Sequence, residues 1–376
     1  MRLFTCESCK GVLFFENSHC MTCNQRIGYC AEAAKFVPLP DAPASGGPVS
    51  VEVALGGGKR ERFVLCKNFA EHDACNWLVR EADGQPYCSS CRLTEIIPDL
   101  SDAKNRQAWA ELESAKRRLL YTLRGLRLPV LTKQEDAQAG LSFHFLRGTE
   151  EAPVTTGHAD GLVTLNVAEA EAAYRENMRE KLGEGYRTVL GHLRHEIGHY
   201  YWDRLVKDAA PLDSYRQLFG DERASYAEAI ERHYGEGPPD NWAESFISAY
   251  ATMHPWEDWA ETWAHYLHMV DTLETAKSHG LTLRVPGTPG AASAKVSTDQ
   301  LTLADFDALM EGWQAVTIAL NSLSRSMGMK DVYPFVLSQP VRDKLRFVHD
   351  VIAKSVKPVA KDTPAKATLL STAAAS

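Results

Sequence analysis

The sequence has no cysteine after Cys91, although it holds nine cysteines in 376 residues. It also has no run of about 18 apolar residues, which a membrane-spanning helix needs. Its first residues, Met1 to Cys6, lack the apolar stretch and the cleavage site of a secretory signal. A formal net charge of −8 leaves no general basic excess for binding nucleic acid. These absences predict a cytoplasmic protein that does not bind membranes and is not a general nucleic-acid binder.

The first cysteine cluster has the spacing of a metal site. Cys6-x-x-Cys9 and Cys20-x-x-Cys23 each place two sulfurs on one turn, where both can bind one tetrahedral Zn²⁺. Four thiolates close the coordination of the metal, so we expect a structural site that holds a small segment folded. An odd number of cysteines without a secretory signal also favours metal thiolates over disulfides. Residues 1–37 are therefore predicted to form a zinc ribbon.

The second cysteine cluster is less regular than the first. Cys88-x-x-Cys91 has the spacing of a zinc knuckle, whereas eight residues separate Cys66 from Cys75. We predict a second four-thiolate zinc site within residues 61–98, and the alternative is two buried cysteines beside an incomplete site. Neither cluster is ringed by basic and aromatic residues, so we expect a structural or partner-docking role for both.

Composition divides the rest of the chain. Residues 38–60 are rich in Pro and Gly and are predicted to be a linker around one short apolar segment, residues 49–55. Cys30, which neither cluster needs, is interpreted as a small buried hydrophobe. Residues 99–356 are predicted to form one large domain, and residues 357–376, rich in Lys, Ala, Thr and Ser, a disordered tail.

Apolar periodicity predicts the elements of the large domain. A long helix is expected over residues 101–128, and strands are expected over residues 141–146 and 162–167. The segment 161–166 is either the edge strand that an extended peptide joins or an ordinary strand of the sheet. Further helices are predicted over residues 169–182, 186–206, 221–233, 242–251, 256–273, 303–327 and 340–356.

The motif with the clearest chemistry is His195-Glu196-x-x-His199. On a helix, the two histidines lie one turn apart on the same face and can bind one metal ion. Glu196 then lies beside the open position of the metal, where it can take a proton from a bound water whose pKa zinc lowers to about 7. The surrounding helix is apolar, and buried histidines and carboxylates need a partner such as a metal. We therefore predict a catalytic zinc ion with Glu196 as general base.

The third metal ligand is expected on a separate helix. Glu257 and Glu261 are four residues apart, so their carboxylates share one helix face. Glu257 is the predicted ligand, and Glu261 is predicted to accept a hydrogen bond from the far ring nitrogen of a ligand histidine. The reverse assignment of these two glutamates stays open, and His254 and His265 are weaker candidates.

The pattern Glu257-x-x-Ala260-Glu261-x-Trp263, downstream of the histidine motif, resembles the glutamate-zincins, in particular the anthrax lethal factor type. In that type a tyrosine seven residues before the ligand glutamate helps to stabilise the oxyanion. The resemblance assigns this role to Tyr250, and a buried structural tyrosine is the alternative. Trp263 stands where the pattern has phenylalanine, which exchanges one aromatic residue for another.

Nearly the whole chain resembles the bacterial family of "putative zinc-binding metallopeptidases" with an N-terminal zinc ribbon. The resemblance is carried by residues 6–29, 88–98, 186–205, 246–276, 325–328 and 333–335. It implies an α+β fold with a mostly helical, zincin-like metallopeptidase domain after two small four-cysteine zinc modules. The expected function is hydrolysis of a peptide or protein substrate, with one catalytic and two structural Zn²⁺ ions. The alternative is a non-catalytic zinc scaffold that binds a partner protein through its ribbons.

Overall fold

The computed structural model describes residues 1–42, 47–181, 187–285, 294–297 and 305–355. Within these ranges, small antiparallel sheets precede a helical region built around one mixed sheet, which is an α+β arrangement. None of the described helices is both long and apolar enough to cross a lipid bilayer. The tail predicted over residues 357–376 lies outside the described residues.

Each Cys-x-x-Cys pair of the first cluster lies in a tight turn between two antiparallel segments. Lys10 and Asn24, which follow the second cysteine of each Cys-x-x-Cys pair, have positive φ values of 64° and 58°, so both knuckles share one turn geometry. The first turn joins β1 (Phe4–Thr5) to β2 (Val12–Leu13). The second turn lies between His19 and Arg26, which form an antiparallel bridge, and the hairpin of β3 (Ile27–Cys30) and β4 (Lys35–Pro38) follows it.

The prediction that residues 38–60 form a linker differs from the structure over residues 50–60. These residues form a strand and a turn, because Gly56 to Gly58 adopt positive φ values of 98°, 58° and 78° and reverse the chain. The antiparallel sheet that results contains β5 (Ser50–Gly56), β6 (Lys59–Leu65) and β7 (Leu78–Arg80), with the short helix α1 (Lys67–Ala70) between the last two strands.

The mixed sheet of the large domain has the order β10-β11-β9-β8. Its strands are β8 (Thr94–Ile96), β9 (Ser142–Leu146), β10 (Gly157–Ala159) and β11 (Leu162–Asn166). β8, β9 and β11 are parallel, whereas β10 is antiparallel to β11 and lies at the edge. Asp160 and Gly161 have positive φ values of 50° and 83° and turn the chain between β10 and β11. β11 is therefore an inner strand, so residues 161–166 match the alternative prediction of an ordinary strand of the sheet. The strand at the edge is β10.

The remaining elements are mostly helices. They are α2 (Ala103–Gly125), α3 (Ala172–Lys181), α4 (Val189–Leu205), α5 (Leu212–Phe219), α6 (Tyr226–Glu236), α7 (Pro255–Ser278), α8 (Phe306–Ser326) and α9 (Gln339–Ser355), with a hairpin of β12 (Thr282–Val285) and β13 (Ala294–Ser297).

Two predicted helices differ from the structure. The helix predicted from residue 221 begins only at Tyr226, because the Ser225 side chain caps it by accepting a hydrogen bond from the Glu228 N–H. The helix predicted over residues 242–251 is absent, and two short 3₁₀ turns stand at its ends. Ser248 interrupts the segment, since its hydroxyl accepts a hydrogen bond from the backbone N–H of Ala251.

Helices α4 and α7 cross at a close contact that positions the site. A Cβ atom on Gly198 would lie 3.0 Å from the Cα of Ala260, so only glycine lets the two backbones approach this far. The indole of Trp259 donates a hydrogen bond of 2.8 Å to the carbonyl of Gly198 at the same crossing. The histidine motif of α4 therefore faces the glutamates near the start of α7.

Candidate metal centre

Two histidines and one glutamate bring their ligand atoms together between α4 and α7. The Nε2 atoms of His195 and His199 are 3.2 Å apart. The Oε2 atom of Glu257 lies 2.9 Å from the His195 nitrogen, and its Oε1 atom lies 3.4 Å from the His199 nitrogen. All three side chains are buried, and one ligand atom from each lies within 4.8 Å of the others.

This arrangement fits a zinc ion. Zn–N bonds of about 2.0–2.1 Å place two tetrahedral ligands roughly 3.3 Å apart, close to the separation of the two histidine nitrogens. Burial lowers the pKa of His195, but the hydrogen bonds and charges of Glu257 and Glu261 outweigh burial and raise it well above its usual value. A metal that binds there has to displace a proton. Three protein ligands also leave a fourth position of a tetrahedral ion open.

Glu261 lies behind His195 and is not part of the ligand group. Its Oε1 atom is 2.6 Å from His195 Nδ1, and its Oε2 atom accepts a hydrogen bond of 2.6 Å from the Ser248 hydroxyl. Burial raises the pKa of Glu261, but the hydrogen bond with His195 outweighs burial and lowers it to about 2. The carboxylate therefore orients the imidazole, and Ser248 in turn orients the carboxylate.

The two weaker ligand candidates lie away from this group. His254 caps the start of α7 by accepting a hydrogen bond from the Trp256 N–H, and its Nε2 atom faces the carbonyl of Ala224 at 3.1 Å. His265 pairs through Nδ1 with the hydroxyl of Tyr333 at 2.8 Å. The structure places neither histidine with His195 and His199.

Glu196 is supported by a polar chain that the sequence analysis missed. His192 lies one helical turn before it, with Nε2 at 3.4 Å from Glu196 Oε1 and Nδ1 at 3.8 Å from Glu169 Oε2. Arg187 donates a hydrogen bond of 2.6 Å to Glu169. Burial lowers the pKa of His192, but Glu169 and Glu196 outweigh burial and raise it to about 9. The spacing of four residues between His192 and Glu196 was a usable signal.

Aromatic residues from other elements surround the centre. Tyr226 donates a hydrogen bond of 2.9 Å to Glu257 Oε1, which no spacing rule in the sequence indicates. The ring of Tyr250 lies 5.9 Å from that of His195. The rings of His158 and Trp256 lie 6.3 and 3.7 Å from that of His199.

The first cysteine cluster has the geometry of a four-thiolate site. The Sγ atoms of Cys6 and Cys23 are 3.9 Å apart, and those of Cys9 and Cys20 are 3.6 Å apart. Zn–S bonds of about 2.3 Å separate tetrahedral thiolates by roughly 3.8 Å, whereas a disulfide is near 2.05 Å. Gly11 donates its N–H to Cys9 Sγ at 3.4 Å, as expected for a knuckle that turns around a metal.

The second cluster is complete despite its irregular spacing. Cys66, Cys75, Cys88 and Cys91 offer sulfurs within 4.8 Å of one another, and the sulfurs of Cys75 and Cys88 are 3.8 Å apart. The gap between Cys66 and Cys75 is spanned by α1 and the turn after it, which bring the two sulfurs back together. Cys30 is buried and belongs to neither group, as expected.

The second cluster also contacts the large domain through helix α2. Glu113 of α2 lies 3.9 Å from the Cys91 sulfur, accepts a hydrogen bond of 2.7 Å from Thr94 and pairs with Lys116 at 2.9 Å. Arg117 donates a hydrogen bond of 2.7 Å to the carbonyl next to Cys75. Cationic side chains of α2 therefore lie beside the thiolates.

The chain combines a buried histidine–glutamate centre on an α+β domain with two groups of four cysteines. This is the arrangement of a zinc-binding protein with a metallopeptidase-type centre. The profile of the family described as "Putative zinc-binding metallo-peptidase" matches residues 105–351, and that of a zinc-ribbon domain matches residues 3–102. The chain belongs to this zinc-binding metallo-peptidase family. The prediction of that family with an N-terminal zinc ribbon is thereby confirmed at the family level.

Similar proteins are found in mycobacteria. One from Mycobacterium bovis and two from strains of Mycobacterium tuberculosis are each 41% identical over 355 residues, which is 94% of this chain and 95% of theirs. Each of the three carries the name of an uncharacterized protein. No solved structure matches the chain.

Proposed function

We propose that this protein is a glutamate-zincin peptidase that binds its catalytic zinc ion through His195, His199 and Glu257. The observation that carries the proposal is the convergence of three buried ligand atoms beside Glu196 on the same helix. A purely structural zinc site would have no use for a further buried acid next to its first ligand. The two cysteine clusters are proposed to hold structural zinc ions in a reducing, cytoplasmic environment.

The side chains divide the chemistry between them. Zinc bound at the centre supplies a water of lowered pKa and polarises the substrate carbonyl. Glu196 takes the proton of the attacking water and passes it to the leaving amine. His192 holds the Glu196 carboxylate, Glu261 holds the ring of His195, and Tyr250 donates a hydrogen bond to the oxyanion.

The edge strand β10 is proposed to bind the substrate. Its outer edge pairs with no other strand in the part of the chain that the structure describes, so it can accept an extended peptide as an additional strand, with hydrogen bonds between main chains. His158, in the middle of β10, has its ring 6.3 Å from that of His199, so a peptide on this edge passes close to the metal ligands. The proposed substrate is therefore a peptide or an unfolded segment of a protein.

One observation favours a second function, that of a scaffold which binds a partner protein. Val12, Phe14 and Met21 of the first ribbon are exposed by 53%, 55% and 79%, which is unusual for large apolar side chains on so small a module. This docking function is compatible with the peptidase, but as the sole function it leaves Glu196 unexplained.

The peptidase is tested with Glu196→Gln, which keeps the size of the side chain and removes the base. We expect this variant to retain the zinc content of the wild type and to lose about 10²- to 10⁴-fold in turnover. Zinc is counted by elemental analysis, and cleavage is followed by mass spectrometry on a degenerate peptide library and on denatured casein. The double variant His195→Ala/His199→Ala should lose one zinc ion. Cleavage by Glu196→Gln at the wild-type rate would contradict the mechanism.

A further inference from the structure

We propose that Tyr226 is a positioning residue of the metal centre, which holds one oxygen of Glu257 so that only the other oxygen binds the metal. The inference rests on the proposed function, since it takes the centre to be a zinc site. It adds a residue from helix α6, an element that carries none of the metal ligands or of the proposed proton-transfer groups.

The two oxygens of Glu257 have different surroundings. Oε2 lies 2.9 Å from the Nε2 atom of His195. It is buried and has no hydrogen-bond partner among the described residues, whereas Oε1, at 3.4 Å from the Nε2 atom of His199, accepts the hydrogen bond of 2.9 Å from the Tyr226 hydroxyl. Glu257 is only 1% exposed, so bulk water does not compete for Oε1. The Tyr226 hydroxyl therefore distinguishes one carboxylate oxygen from the other.

The contacts of the Tyr226 ring explain why its hydroxyl points at Glu257. Tyr226 is the first residue of α6, and its ring lies 5.3 Å from the ring of His254 and 6.1 Å from that of Trp256. Both of those rings are at the start of α7, immediately before Glu257. Only Ala229 of α6 is buried, so the apolar core does little to fix this helix. Contacts with the start of α7 place Tyr226, and its hydroxyl adds one hydrogen bond to them.

The chemical consequence concerns the open position of the metal. A catalytic zinc ion needs three protein ligands and one free position for water. A carboxylate that binds through both oxygens takes part of that free position. A hydrogen bond from Tyr226 to Oε1 disfavours this second contact, because it orients the carboxylate and draws electron density of Oε1 toward the hydroxyl instead of the metal.

The test replaces Tyr226 with Phe and reads the metal directly. Cobalt(II) is exchanged into the histidine–glutamate centre while zinc stays in the cysteine sites, and the intensity of its visible absorption reports the coordination number. We expect Tyr226→Phe to weaken the absorption, as five-coordinate cobalt does, and to lower zinc affinity about 10- to 100-fold in a chelator competition. Tyr234→Phe is the matched control, because Tyr234 lies on the same helix and is 62% exposed.

The outcomes separate this inference from the proposed function. A Tyr226→Phe protein with the wild-type cobalt spectrum and zinc affinity overturns the positioning role and leaves the peptidase intact. A loss of affinity in Tyr234→Phe of the same size also overturns it, since the effect would then belong to α6 in general. A wild-type protein that binds neither zinc nor cobalt at His195 and His199 overturns both. Equal melting temperatures of the two variants show that the difference in affinity is not a difference in folding.

Discussion

The two cysteine clusters use the same ligands but differ in burial. In the first cluster, Cys9 is half-buried and Cys23 is exposed, and the group lies in two short turns. In the second cluster all four cysteines are buried. The same four-thiolate chemistry therefore stabilises a less buried module in the first cluster and connects buried segments in the second.

The second cluster is part of the large domain in structural terms. The strand that follows it, β8, pairs with β9 of the mixed sheet, so the predicted boundary between residues 98 and 99 divides a continuous structure. Helix α2 continues the connection, because Thr122 donates a hydrogen bond of 2.6 Å to Asp271 of α7. Asp271 also pairs with Arg194, the residue immediately before His195. A chain of buried polar contacts thus links the second cluster with the metal-binding helix.

The largest effect is expected from Cys88→Ser/Cys91→Ser. Loss of this zinc site leaves Glu113 and Lys116 beside an unfolded loop, and structural zinc sites supply folding free energy directly. We expect the main cooperative melting transition to be lost and the zinc content to fall by more than one ion per chain. Calorimetry and elemental analysis measure both. Loss of a single zinc ion with an unchanged transition would show that the second cluster is as peripheral as the first.

An intermediate effect is expected from Lys116→Met. Lys116 and Glu113 both have fully buried side chains, and removal of one partner leaves a buried charge without compensation. This costs about 3–5 kcal/mol in the free energy of unfolding. The matched control is Lys35→Met on the first ribbon, whose exposed pair with Glu7 contributes about 0–1 kcal/mol. Denaturant unfolding measures both, and equal changes would contradict the comparison.

The smallest effect on the large domain is expected from Cys20→Ser/Cys23→Ser. The first ribbon should lose its zinc ion and the local structure of its two knuckles, because a small segment of this kind depends on its metal. The main melting transition should shift less than in Cys88→Ser/Cys91→Ser, because Cys9 and Cys23 are not fully buried and the contact of Phe15 with Tyr121, at 5.1 Å between ring centroids, does not involve the metal ligands. Zinc should remain at His195 and His199. Loss of the main melting transition in this variant would show that the first ribbon, like the second cluster, is needed for the folding of the large domain.

The parts of the site that were predictable are those encoded by short spacings. A turn of two residues between cysteines and a helical turn between His195 and His199 bring ligands together through local geometry alone. The structure brings Glu257 within 4.8 Å of the ligand atoms of His195 and His199. His192 was missed even though its spacing from Glu196 is local.

Residues that meet through packing could not be predicted in this way. Tyr226 reaches Glu257 only because the segments before α6 and α7 lie side by side. The edge position of β10 depends on which strands pair, and a strand of three residues leaves almost no periodicity to detect. The contact of Ser248 with Glu261 likewise joins residues of separate segments and has no signal in local spacing.

The sequence by itself determined the chemistry of this protein: which residues can bind metal, the helix that carries two of them, and the family to which the chain belongs. A helical turn and a zinc knuckle each have a fixed geometry over a few residues, so the spacing of residues along the chain is enough to predict these features. The tertiary structure alone decided which carboxylate oxygen faces the histidines, which strand is free at the edge, and how the second cysteine cluster joins the large domain. Those features depend on contacts between distant segments, whose arrangement is set by the packing of the whole core.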